Sequence, residues 1–131
     1  MRQIVNFNEQ LKVEIENFEH SCQQMCAFLE EKYQQAFQVY NARLLIEFMR
    51  TLKGNLANPT DLDQDCYESF IEIGIEKDDE YFPNAYIPVW RCKKEYFQKI
   101  GYYTKYDIEG IERKITLIIE EMLQEKKEES K

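Results

Sequence analysis

Apolar residues in the first quarter of the chain fall at Leu11, Ile15, Phe18, Cys22, Met25 and Leu29, in steps of 4, 3, 4, 3 and 4. That heptad-like stripe predicts a helix lying along another helix. The stripe continues through Tyr33, Phe37, Tyr40, Leu44, Phe48 and Leu52, and no Gly or Pro occurs before Gly54. One helix from Asn8 to Leu52 would be about 68 Å long, roughly twice the width of a small domain. The pattern is therefore read as a long N-terminal helix pair that breaks near Gln38–Asn41. Asn41 would cap the second helix, because its side chain can accept from free amides of the next turn. The alternative is an unbroken helix that pairs with a second copy, a homodimer through the N-terminal helix.

Downstream, Lys53-Gly54-Asn55 has the form of a helix end. Asn58-Pro59-Thr60-Asp61-Leu62-Asp63 has the form of a helix start, with Thr60 and Asp63 at capping-box spacing. Leu62, Cys66, Phe70 and Ile73 come next at helical intervals up to Gly74. A strand through Phe70–Ile75 competes, since Ile71, Ile73 and Ile75 alternate with Glu72 and Gly74. Residues 76–88 read as a proline-containing acidic and aromatic loop. A helix is expected from Pro88 or Val89 to Ile100, closed by Gly101. The last helix opens near Thr104 and buries Ile108, Ile111, Ile115, Ile118 and Met122, with residues 125–131 a frayed tail. The expected fold class is all-α: a four- to five-helix bundle spanning 1–131 as a single helical domain. With 4 Gly and 3 Pro in 131 residues, turn-formers are too few for a many-stranded sandwich or barrel.

Charge sharpens this picture. The formal net charge is -8, which argues against broad attraction to nucleic acid or anionic membranes. Residues 58–86 carry nine acids and one lysine, whereas residues 87–106 carry five cations and one acid. No apolar run approaches a membrane span and no secretory signal is visible, so the expected compartment is the cytoplasm. Cys22, Cys26, Cys66 and Cys92 are then expected as reduced thiols.

Candidate chemistry is sparse. His20, Cys22 and Cys26 fall on one predicted helix, with His20 well round from Cys22, a poor start for tetrahedral zinc. Asp61, Asp63, Asp65 and Glu72 match several oxygen positions of a calcium loop, but Cys66 stands where that loop needs glycine. With one histidine and no glycine-rich phosphate loop, no catalytic constellation forms. The expectation is a small acidic protein without enzymatic activity, metal or cofactor, which binds and modulates or inhibits a macromolecular partner. An immunity, antitoxin or counter-defence protein, or an assembly subunit, would fit. The partner surface is assigned to Asp78, Asp79, Glu80, Tyr81, Phe82 and Tyr86: exposed rings anchor interfaces, and the acids steer a partner with a basic surface. The alternative is a nucleic-acid-associated helical module of a ribonucleoprotein complex, using Trp90, Arg91, Lys93, Lys94 and Lys99.

Overall fold

The first helix, α1 (Glu9–Gln38), opens where the Asn8 side chain accepts from the Leu11 N–H at 2.8 Å. It ends at the expected break, and the chain turns through Asn41 at φ +57°. Beyond this turn the chain enters a strand, β2 (Arg43–Leu52), and not a second helix. The physical reason lies in the spacing. Leu44, Phe48 and Leu52 are four apart, an interval that puts residues on one face of a strand as well as on one side of a helix. The computed structural model describes residues 1–5 and 7–130.

The all-α bundle is therefore overturned. The chain forms two helices, α1 and α2 (Ile108–Glu129), and a six-stranded antiparallel sheet. The other strands are β1 (Arg2–Ile4), β3 (Asn55–Leu56), β4 (Tyr67–Lys77), β5 (Glu80–Glu95) and β6 (Gln98–Tyr103), and the spatial order is β1-β6-β5-β4-β2-β3. The helix expected after Asn58-Pro59 shrinks to a single 3-10 turn at Pro59–Asp61. The alternation of Ile71, Ile73 and Ile75 wins over the helical reading of the same segment, because all three are buried on one face of β4.

The acidic and aromatic loop also proves to be strand. β4 and β5 meet at a two-residue turn, Asp78-Asp79, with Lys77 opposite Glu80. Both aspartates have positive φ, 54° and 64°, the conformation of a type I′ hairpin. The helix expected over Val89–Ile100 is replaced by the end of β5, a second hairpin turn at Tyr96-Phe97, and β6. Pro83 and Pro88 are tolerated within β5 because they lie on the edge that β6 leaves unpaired, since β6 pairs only with Trp90–Glu95, and beside the register shifts between Ser69 and Phe70 and between Ile73 and Gly74. A bulge leaves backbone groups outside the ladder, which is where proline fits in a sheet.

α2 opens later than expected, at Ile108 instead of near Thr104: Asp107 is its N-cap, and its side chain accepts from the Gly110 N–H at 2.7 Å. It buries Ile111, Ile115, Ile119 and Met122, and it stays helical to Glu129 through most of the segment read as a tail; Lys131 lies outside the described residues. Both helices cover one face of the sheet. Their apolar sides meet Leu44, Ile46, Ile71, Ile73, Ile87 and Trp90 in one core. Ile15, Cys22, Met25 and Leu29, the stripe that suggested pairing between copies, are buried within the chain. Among the described residues no helix covers the second face of the sheet, an arrangement antiparallel sheets commonly adopt. No helix among the described residues is long and apolar enough to cross a membrane.

Candidate interaction surface

Strand register decides which residues share the open face. Leu44, Ile46 and Phe48 on β2 stand opposite Ile75, Ile73 and Ile71 on β4, and this set points toward the helices. The alternate set faces away from them. It comprises Leu45, Glu47 and Met49 on β2 and Glu68, Phe70, Glu72 and Glu76 on β4. β5 adds Tyr86, opposite Glu72, and Tyr81, opposite Glu76.

At the centre of this face Glu47 stands directly opposite Glu72. Like charges opposed across antiparallel strands destabilise the sheet. Glu68 has Arg91 opposite it, and Glu76 has Arg43. Glu72 has the Tyr86 and Tyr81 rings beside it, but among the described residues no cation lies within salt-bridge distance of Glu47 or Glu72. The pair is bordered by apolar and aromatic groups. Met49 is opposite Phe70, whose ring packs on Tyr86 with centroids 4.8 Å apart. Tyr81 crosses Gly74 so closely that a Cβ there would fall 2.6 Å from its hydroxyl. Partial burial, then the Glu72 and Glu47 carboxylates, push the Tyr81 hydroxyl up to about 12.

The residues assigned to a partner surface from sequence are thus divided. Tyr81 and Tyr86 lie on the open face, 42% and 54% exposed. Phe82 is opposite Ile75 on the helix-bearing side and shares a groove with Met122. Asp78 and Asp79 form the hairpin tip, with Glu80 opening β5 beside them. Glu47, Phe70 and Glu72 were missed. Their signal was the alternation Glu68-Ser69-Phe70-Ile71-Glu72-Ile73, which places polar and aromatic residues on one side of a strand.

The alternative set is divided as well. Trp90 is in the core: its indole N–H donates to the Leu62 carbonyl at 2.7 Å, and its ring fills the space a side chain at Gly101 would need. It cannot stack on a base. Arg91 lies over the Tyr102 ring, 4.9 Å from its centroid. Lys93, Lys94 and Lys99 are exposed around the β5–β6 turn. At its tip Tyr96 and Phe97, which the sequence pattern assigned to a helix, are 98% and 99% exposed.

The calcium-type carboxylates serve separate ends. Asp61 accepts from the Asn58 N–H at 3.0 Å, Asp63 pairs with Lys12 at 2.9 Å, and Asp65 accepts from the Lys94 N–H at 2.7 Å. Glu72 is on the open sheet face. Cys22 and Cys26 are buried while His20 is exposed. Among the described residues no group of three or more His, Cys, Asp or Glu is placed to hold a metal ion.

A carboxylate lies deep in the core. Glu19 of α1 is fully buried, paired with Arg50 Nε at 3.3 Å and accepting from the Tyr67 hydroxyl at 2.8 Å. Burial holds its carboxyl above the usual range, against the opposing pull of Tyr67 and Arg50. The Ser69 hydroxyl is beside the carboxylate but outside strict hydrogen-bond geometry. This cluster ties α1 to the end of β2 and the start of β4. It faces away from the open surface, since Arg50 and Ser69 are on the helix-bearing side.

Comparison with known protein families, with curated proteins and with solved structures returns no match.

Proposed function

We propose that this chain is a small acidic binding protein that acts without catalysis, and that its open sheet face takes a protein partner with a basic surface. The observation that carries this reading is the Glu47–Glu72 pair. It is a like-charge cross-strand pairing, a kind that destabilises sheets, with no cation within salt-bridge distance among the described residues, inside a border of Phe70, Tyr81 and Tyr86. A lysine or arginine from a partner would supply the missing charge. Its neighbouring apolar groups would bury the rings, and buried aromatic anchors carry much of the energy of protein interfaces. Asp78, Asp79 and Glu80 at the sheet end would add to the attractive field and speed encounter. Modulation or inhibition of the partner, or service as an acidic subunit of an assembly, would result from occupying its basic surface. The proposed compartment is the cytoplasm, in keeping with four unpaired thiols, three of them buried.

Selection of a random peptide library on the immobilised protein tests this. Enrichment of Lys or Arg beside an aromatic residue is expected, with binding lost in Glu47→Lys and Glu72→Lys. Enrichment of acidic peptides, or basic peptides that bind both variants unchanged, would contradict it.

A further inference from the structure

The β5–β6 hairpin carries a second opposed like-charge pair of the other sign. Lys94 stands directly across from Lys99, Lys93 is beside them, and Asp63 contributes a negative field near Lys99. Beyond the lysines the turn presents Tyr96 and Phe97 almost wholly to solvent, 98% and 99% exposed. Both occupy the left-handed region, φ 49° and 65°, where bulky residues are disfavoured and Asn-Gly is the usual choice. Strained backbone that presents two aromatic rings to solvent marks a contact surface.

We propose that the occupant of the acidic face is a second copy of this chain, which enters with its β5–β6 hairpin tip. The inference rests on the proposal that this face binds a cationic partner. The finger carries what the face lacks: cations for Glu47 and Glu72, and rings for the border formed by Phe70, Tyr81 and Tyr86. It cannot satisfy its own face. Tyr86, opposite Glu72, is ten residues before Tyr96 along β5, about 33 Å at strand rise. The contact joins unlike surfaces, so it closes as a reciprocal pair or continues as an open series.

Sedimentation equilibrium at low salt tests this with two variants: a tip variant, Tyr96→Asn with Phe97→Gly, and a face variant, Glu72→Lys. Thermal melts confirm that each folds, and Glu47→Lys replaces the face variant should it not. Wild-type protein is expected to associate, increasingly so as salt is lowered. Each variant alone is expected to be monomeric. An equimolar mixture is expected to recover a 1:1 heterodimer, because an intact finger then meets an intact face. A monomeric wild type at millimolar concentration, association of either variant alone, or a mixture that stays monomeric would overturn the proposal. So would tip-dependent binding of oligo(dT) or phosphatidylserine vesicles by a wild type that does not self-associate. The selected basic peptides separate the two failures: if they still bind the wild-type face, only the second copy is excluded.

Discussion

The side-chain amide of Gln34 pairs with both backbone groups of Leu44. The Leu44 N–H donates to Gln34 Oε1 at 2.7 Å, and Gln34 Nε2 donates to the Leu44 carbonyl at 3.0 Å. One turn earlier on α1, Glu30 accepts from the Ile46 N–H at 3.2 Å. β3 covers only Thr51 and Leu52 of β2, so the rest of that strand is an edge. Helix side chains take the place of a neighbouring strand there, and such cover protects an edge from pairing with other chains. Gln34→Ala should cost about 2 kcal/mol by leaving two backbone groups unpaired. Chemical denaturation measures the loss, and light scattering should show faster aggregation of the variant.

The Glu19 cluster sets a pH dependence. Burial raises the Glu19 pKa in the folded protein above its ordinary 4.5. The folded state therefore binds this proton more tightly than the unfolded chain does. The associated stability is fully present below 4.5 and is lost as pH rises through the folded value. Glu19→Gln has no proton to lose. The stability of wild type relative to this variant should fall as pH rises above 4.5; a constant difference would show that Glu19 titrates normally. Tyr67→Phe removes the donor to Glu19 and should cost about 1–3 kcal/mol.

The thiols should separate by rate. Cys22 and Cys26 are buried and pushed up to about 12, chiefly by burial, and burial takes Cys92 to about 11. Cys66 is exposed at the end of the connection before β4. Since the thiolate is the reactive form, a disulfide reagent added to native protein should label one cysteine rapidly. The other three should react only on unfolding, and Cys66→Ser should abolish the fast phase.

Neighbouring rings on β5 should behave oppositely. Phe82→Ala should lower stability by about 1 kcal/mol, because Phe82 is half-exposed beside Ile75 and Met122. Tyr86→Ala should leave the melting temperature within a few degrees of wild type and weaken binding of the selected basic peptides. Melting curves and peptide affinities measured on the same two variants would show whether this division holds.

Helices were more legible in the sequence than strands, for identifiable reasons. α1 has a Gly-free and Pro-free stripe and α2 a regular apolar stripe, and both helices appear close to where the pattern put them, although α2 starts after Thr104, at Ile108. β2 was hidden because steps of four satisfy both periodicities. β5 was hidden because two prolines normally end a strand, whereas here both lie on the edge that β6 leaves unpaired, next to register shifts against β4. Of the three tight hairpin turns, Lys53-Gly54 alone has a glycine, while Asp78-Asp79 and Tyr96-Phe97 adopt the same backbone without the usual Asn-Gly signal. Tyr81 and Tyr86 were legible as exposed rings. Glu47 and Glu72 were not, since their opposition depends on a register that connects residues twenty-five positions apart.

We propose that Glu47 and Glu72 are held in like-charge opposition for a cationic partner. The most direct test takes a partner isolated with the wild-type protein and measures its affinity for Glu72→Lys, alongside that variant's melting temperature. Lysine at 72 would face Glu47 and convert a repulsive cross-strand pair into an attractive one, a gain of about 0.5 kcal/mol. The expected outcome is a melting temperature equal to or above wild type and a partner affinity reduced by roughly 30-fold or more, the loss of one hot-spot contact. Unchanged affinity in the folded variant would contradict it.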